Sequence, residues 1–392
     1  MSGHDGKRPL RVQPLRHRPR SWAEVDVVAF AANVAQVRSL APAGQVLAVL
    51  KADAYGHGAL AIAHAAEAGG AVMLGVGDST EALELRRAGV MADILILGGL
   101  VPSEIPSVID AGIIPVVHGF GRVEELESEA AAQGRRVRVH LKVDTGMGRL
   151  GMNIARVADV ARRILGSRHM ELDGVMSHLA GAFPAEAATN RAQCVRFAAV
   201  LEELARLGAR PRCVHMRNTS GLMDRELVIP GENLVRAGAC LYGFAPSGAT
   251  PPRGFQPVLS LRTQIVFLKD VPPHTRVGYG GSFESRRRTR LGIIPLGYND
   301  GVKRSLSNRG TALVHGRRVP LVGAVSMDYT TIDITDAPAA AVGDCVTLIG
   351  RDGSECQHVE ELALAAGTIP YDVLCGLGRR VVRIPVRAPR AS

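Results

Sequence analysis

The chain has 392 residues, too many for one average domain and comfortable for two. A composition of 46% hydrophobic and 21% charged residues excludes a disordered or low-complexity protein, and no apolar run approaches the ~18 residues of a membrane span. The net charge of +10 invites a nucleic-acid partner, but half of it falls in residues 1–20, where six cations (Lys7, Arg8, Arg11, Arg16, Arg18, Arg20) stand against Asp5.

That stretch reads as a frayed basic tail, and it lacks the apolar core of a secretory signal. The six cysteines lie far apart with no C-x-x-C pair, so they read as free, mostly buried thiols in a reducing compartment, with no metal site. The expectation is a cytoplasmic protein with neither a nucleic-acid nor a membrane partner. Between residues 45 and 240, short β-branched runs alternate with Ala-, Leu- and Glu-rich stretches. Val46–Leu50, Met73–Val76, Ile94–Leu97, Ile114–Val117, Val137–Val143, Gly174–Met176, Cys213–His215 and Leu234–Ala237 read as eight strands. Helices fit between most of them, most clearly over Ala59–Ala68 and Ala192–Leu207. This predicts an α/β fold with an N-terminal (β/α)8 TIM-like barrel over residues 21–250, although a doubly wound open sheet has a similar rhythm. Residues 244–257 contain four prolines and read as a linker. Beyond it, Ser260–Leu268, Thr289–Ile294, Thr311–Val314, Val319–Val322, Thr330–Ile334 and Cys345–Ile349 predict strands, with one helix over Val359–Ala366. The second domain, residues 257–388, is therefore expected to be mostly β.

Lys51 ends the first strand and is followed by Ala52-Asp53-Ala54-Tyr55-Gly56-His57-Gly58. Barrels carry catalytic groups where strands end, and partial desolvation there frees a lysine amine for Schiff-base chemistry. A lysine snorkelling out of the rim fits the same position. Gly146-Met147-Gly148-Arg149-Leu150-Gly151, with Asp173 downstream, matches a dinucleotide-binding fingerprint. That fingerprint opens the first βα unit of its domain, whereas four strands precede this one, which disfavours a dinucleotide-dependent oxidoreductase. His178 ends the sixth strand; a lone histidine there is more often structural than catalytic. Thr219 and Ser220 after the seventh strand, and Gly238 and Ala239 after the eighth, suit a barrel phosphate site. Tyr279, in Val277-Gly278-Tyr279-Gly280-Gly281, reads by itself as part of a glycine-rich turn.

Val49-Leu50-Lys51-Ala52-Asp53-Ala54-Tyr55-Gly56-His57-Gly58 closely resembles the cofactor-lysine signature of the alanine racemases, and the resemblance runs from about Ser21 to Arg383. It implies a pyridoxal 5'-phosphate enzyme that interconverts L- and D-alanine with two bases, Lys51 and Tyr279. It further implies Tyr55, Thr219 (with Ser220 a substitute), Gly238 and Ala239 at the cofactor phosphate and Arg236 at the pyridine nitrogen. His178 would lie beside the ring, linking the catalytic tyrosine to that arginine. Arg149 and Met327 would meet the substrate carboxylate, and Lys142 would be the lysine that is often carbamylated. Tyr298 and Tyr371 would narrow the entrance, with Tyr371 also reaching the phosphate. In the family the C-terminal residues act on the barrel of the other subunit, implying a homodimer with shared active sites. The chain departs from the usual A-N-S-A with Arg217-Asn218-Thr219-Ser220, and Ala239 stands where a bulkier aliphatic is usual. Both departures leave serine, lysine or another amino acid open as substrate. A non-catalytic pyridoxal-phosphate carrier would lack the β domain and Tyr279.

Overall fold

A computed structural model describes residues 19–181, 185–224, 226–245 and 253–387. Most of the basic tail and the centre of the proline-rich linker lie outside these residues. The chain opens with β1 (Ser21–Asp26), then a helix over Val27–Leu40 whose first amides are capped by the Asp26 carboxylate. Eight parallel strands follow: β2 (Val46–Val49), β3 (Met73–Val76), β4 (Asp93–Ile96), β5 (Ile114–Val117), β6 (Val137–Lys142), β7 (Met170–Met176), β8 (Cys213–His215) and β9 (Val235–Ala237). They pair in sequence order, and β9 returns to pair with β2. The remaining seam, β8 to β9, is bridged by Asn233 and Leu234 amides on the Val214 carbonyl and by Arg236 N on Arg217 O. All eight expected strands are present, with ends displaced by a few residues. Strands buried on both faces read as continuous apolar runs, which is why they were legible.

Helices over Ala59–Ala68, Ser79–Arg87, Ile105–Asp110, Phe120–Ala132, Val157–Leu165 and Ala187–Arg206 form the outer ring. The segment after β9 is only a short 3-10 turn, Ala239–Tyr242, and the Val27–Leu40 helix packs against both that turn and Ala59–Ala68. It fills the outer-ring place beside β2.

The second domain holds β10 (Leu259–Gln264), β11 (Phe267–Val271), β12 (Arg276–Val277), β13 (Phe283–Glu284), β14 (Thr289–Ile294), β15 (Thr311–Val314), β16 (Arg317–Pro320), β17 (Thr330–Asp333), β18 (Cys345–Asp352), β19 (Glu355–Gln357) and β20 (Val382–Val386). Its main sheet runs β16-β15-β18-β10-β1-β20, so β1 belongs here and not to the barrel expected from residue 21. β1 runs antiparallel to β10 and parallel to β20. The reason is chemical: Glu24 inside β1 is buried and can be accommodated only where Arg262 of β10 pairs with it, at 3.1 Å. Helices occupy Val359–Ala366, as expected, and Pro370–Cys375. No helix among the described residues is long and apolar enough to cross a membrane.

Candidate active site

β2 delivers Lys51 to the C-terminal rim of the barrel, where it lines a cavity of about 700 Å³. The turn that follows is helical but left-handed: φ at Ala52, Asp53, Ala54 and Tyr55 lies between 51° and 55°. Each such non-glycine residue costs roughly 1–2 kcal/mol, so the surroundings must impose the turn. Glu81 does much of this. Its Oε1 accepts the Ala52 amide at 2.6 Å and the Asp53 amide at 3.4 Å, while Oε2 accepts Gly77 N at 2.7 Å. From the other side, the Pro370–Cys375 helix closes so tightly that a Cβ on Gly56 would stand 2.1 Å from the Leu374 carbonyl oxygen. Sequence reasoning missed Glu81, because nothing local ties it to a turn some thirty residues earlier. Glu81→Ala is expected to destabilise the fold by about 1–3 kcal/mol and to weaken cofactor retention. Urea unfolding and a cofactor titration measure the two effects, and Glu81→Gln, which keeps one acceptor oxygen, should lose less.

The site is cationic. Burial and the charge of Arg149 hold Lys51 below the usual lysine pKa. Lys142, at the end of β6, donates to Leu97 O at 2.9 Å and is lowered to about 8 by burial and by Arg236, Arg149 and Lys51. Burial and the same cations keep His178 neutral. Arg236 is buried on β9, and its Nη2 donates to His178 Nδ1 at 3.0 Å. An arginine cannot accept, so His178 carries its proton on Nε2.

At one end of the cavity lie Tyr55, Tyr371, Thr219, Ser220, Gly238 and Ala239. Thr219 Oγ1 accepts Gly238 N at 3.2 Å, and a Cβ on Gly238 would come within 2.8 Å of the Tyr55 hydroxyl. Tyr55, Tyr242, Phe244 and Tyr371 stack edge to face beneath this end, with centroid separations of 4.8–5.4 Å between the closest pairs. Burial raises the Tyr371 phenol to about 12 and pushes Tyr55 well above its ordinary value, so both remain hydrogen-bond donors at neutral pH. Tyr371 thus lines the cavity of its own chain, whereas the resemblance implied that the C-terminal residues act on the barrel of the other subunit. The packing of its helix on the Lys51–Gly56 turn is the cause. Arg217, the departure from the usual motif, turns away from the site: it is buried against Glu232 at 2.9 Å and the Leu227 carbonyl at 2.6 Å.

In the Gly146–Gly151 loop, the Asp144 carboxylate accepts the amides of Gly146, Met147 and Gly148. Those amides are therefore not presented to a dinucleotide phosphate, and the loop instead carries Arg149 to the cavity. His140, Asp173 and Cys213 bring donor atoms within 4.8 Å, but a guanidinium, Arg212, already occupies the cation's place on Asp173. Of the six free cysteines only Cys194, Cys213 and Cys240 are buried; Cys375, expected to be an ordinary thiol, opens onto the cavity.

Three expected residues stand apart. Tyr279 is 76% exposed and Met327 53%, and neither they nor Tyr298 line the cavity. They are nonetheless brought together: Tyr298 N donates to Ser326 O, Asn299 N to Met327 O, and Gly278 abuts Gly323 and Ala324. Motifs far apart in the chain thus share one exposed patch of the second domain.

Residues 25–246 match the model of the alanine racemase N-terminal domain, and residues 258–385 that of its C-terminal domain. The chain is 39% identical over 364 residues to the alanine racemase of Symbiobacterium thermophilum, covering 93% of this chain and 96% of that one. The alanine racemase of Geobacter sulfurreducens is also 39% identical, over 368 residues, with 92% and 96% covered. Among solved structures, the alanine racemase of D-cycloserine-producing Streptomyces lavendulae superposes with a TM-score of 0.88 at 32% identity, covering 94% of this chain and 98% of that one. The alanine racemase from Bartonella henselae with covalently bound pyridoxal phosphate gives 0.82 at 30% identity, covering 94% and 100%.

Proposed function

The chain belongs to the alanine racemase family, an isomerase family whose reaction is the interconversion of L- and D-alanine, and on that premise we propose how its own residues perform it. The observation that carries the reading is the placement of Lys51, just after β2, and of Arg236, on the neighbouring strand β9, at one cavity that ends in a cradle of hydroxyls.

The cavity fits pyridoxal 5'-phosphate. Tyr55, Tyr371, Thr219 and Ser220 offer hydroxyls to a phosphate, and Gly238 leaves the space that a Cβ would fill. Lys51 would hold the cofactor's carbonyl carbon, and Arg236 would face its ring nitrogen. When bound, the group supplies an electron sink for the charge left at Cα. A charged arginine at the ring nitrogen keeps that nitrogen unprotonated and the sink weak, which discourages transamination.

The protein's own part is to move one proton. Lys51, its pKa held down by burial and Arg149, takes or returns the α-proton on one face. The opposite face needs a second base, and the two phenols lining this cavity are held protonated by burial. Tyr279 of the partner subunit fills the role, with Met327 and Tyr298 of the partner subunit beside it at the substrate carboxylate and the entrance. The exposed patch supports this homodimeric reading: it carries a base with no cavity, and the barrel a cavity with one base. His178, protonated on Nε2, would donate to the phenolic oxygen of the incoming tyrosine. Arg149 would grip the substrate carboxylate with its planar fork. Six unpaired cysteines suit a cytoplasmic setting.

Lys142 is proposed to be carbamylated. A pKa near 8 leaves far more neutral amine at neutral pH than an ordinary lysine has, and only the neutral amine adds carbon dioxide. Next to it, where β5 and β6 pair in register, His118 Nε2 is buried without a hydrogen-bond partner, and a carbamate would give it one. Protein equilibrated with 13C-bicarbonate is expected to show a carbamate carbon resonance that fades as the pH falls below about 8 and is missing in Lys142→Ala. A spectrum without that resonance at pH 8 refutes the modification.

The direct test of the function is an absorbance spectrum of purified protein followed by chiral analysis of L-alanine. A visible band with conversion to D-alanine is the expected result. No band after adding pyridoxal phosphate would overturn the cofactor assignment, and a band without turnover of alanine would overturn the substrate.

A further inference from the structure

Arg236 is buried, yet every group it touches is neutral. Its Nη1 donates to His215 Nδ1 (3.1 Å) and His215 O (2.9 Å), and its Nη2 to Ser177 O, Met216 O and His178 Nδ1. A buried guanidinium with no carboxylate in contact is a costly arrangement. The hydrogen bonds continue beneath it. His215 Nε2 lies 2.8 Å from His140 Nδ1, and His140 Nε2 lies 3.2 Å from Asp173 Oδ2. Asp173 is gripped by Arg212 at 2.8 and 2.9 Å, and Arg212 also reaches Asp93 at 3.1 Å. A polar column therefore threads the barrel interior from the active-site end towards the opposite rim.

Its direction is fixed. Arg236 can only donate, so His215 Nδ1 accepts and Nε2 carries the proton. That proton goes to His140 Nδ1, which leaves His140 Nε2–H to donate to the Asp173 carboxylate. Burial keeps both imidazoles neutral, so neither adds a charge of its own. Two local features are built for the column. β6 and β7 pair Val139 with Leu172 but His140 with Gly174, which leaves Asp173 as the extra residue of a β-bulge. A Cβ on Gly174 would stand 2.6 Å from the His140 ring, so the ring occupies a side chain's space.

We propose that Asp173 is a positioning residue for the racemisation: from the far end of the barrel it fixes the tautomers of His140 and His215, and so presents His215 Nδ1 as the acceptor that holds Arg236 towards the cofactor's ring nitrogen. Chains of hydrogen bonds polarise one another in a low-dielectric interior, which lets a carboxylate act two imidazoles away. The proposal rests on the reading of Arg236 given above.

The test uses the dimeric protein labelled with 15N-histidine, with and without bound cofactor. In the wild type, both His140 and His215 are expected to be neutral and protonated on Nε2 alone; a proton on Nδ1 of either overturns the column. In Asp173→Asn the Nε2–H resonance of His140 should shift, the visible cofactor band should move, and kcat should fall on the order of tenfold, equivalent to about 1.4 kcal/mol, with KM little changed. His140→Gln, which keeps one acceptor and one donor, should retain the wild-type band, whereas His140→Leu should not. This pair keeps the test open should Asp173→Asn fail to fold. A wild-type band and kcat in both Asp173→Asn and His140→Leu would overturn the proposal. An unmoved band in Arg236→Leu, alongside the expected ring pattern, would instead overturn the reading of Arg236 on which the proposal stands.

Discussion

Lys51→Ala is expected to abolish racemisation in both directions and to remove the visible cofactor band of the purified protein. In the proposed mechanism the residue serves twice, as the anchor of the cofactor and as the base on one face, and the cavity's other amine, Lys142, is engaged elsewhere. Lys142 donates to the Leu97 carbonyl instead. Loss of a positioned base alone typically costs 10²–10⁴ in rate, and loss of the anchor comes on top, so kcat should drop by more than ~10⁴. Exchange of the α-proton in deuterated solvent should vanish for L- and D-alanine alike. Racemisation persisting within about a hundredfold of wild type would remove Lys51 from the mechanism.

The second large effect concerns Tyr279. Tyr279→Phe should slow α-proton exchange from one enantiomer by roughly 10²–10⁴ and from the other far less, because only one face loses its base. Equal loss from both enantiomers would sink the two-base assignment. The decisive form of the experiment mixes subunits. Neither Lys51→Ala nor Tyr279→Phe homodimers should racemise alanine. Re-assorted together, half of the dimers are hybrids, each with one site that is whole and one that lacks both bases. Activity should then return to about a quarter of the wild-type value, as a shared site on a two-fold dimer requires. If Lys51 and Tyr279 of one chain served the same site, mixing would restore nothing.

The first half of the barrel was legible because β2 to β5, buried on both faces, are nearly continuous apolar runs. β1 was not. Ser-Trp-Ala-Glu-Val-Asp is buried throughout, and its acids lie where apolar residues were to be expected; Arg262, far along the chain, makes Glu24 acceptable there. The left-handed turn after Lys51 escaped for the same kind of reason: Ala-Asp-Ala-Tyr has no local cause to wind that way, and Glu81 and Leu374 impose it from a distance. In the sequence Asp173 stands out only as the downstream acid of a dinucleotide fingerprint that the strand count disfavours. The signal of its real surroundings was present in His140, Asp173 and His215, polar residues inside strands whose neighbours are apolar. Tyr279, Tyr298 and Met327 came from the resemblance, since exposed residues in turns leave no periodicity to read.

The pairing of β1 with β20 also sets a schedule. Trp22 lies beside Val382, so β1 must wait for a partner strand made long after it. The barrel can close around Lys51 while the second domain is still being made, because its strands pair in the order of synthesis. The second sheet cannot close until β20 has been made, and it is that domain which carries the patch bearing Tyr279. A chain cut short before Val382 would keep a formed cavity, leave one side of β1 unpaired, and have no stable surface with which to meet another copy. Any pairing of two copies through that patch would thereby be reserved for chains that have already made β20.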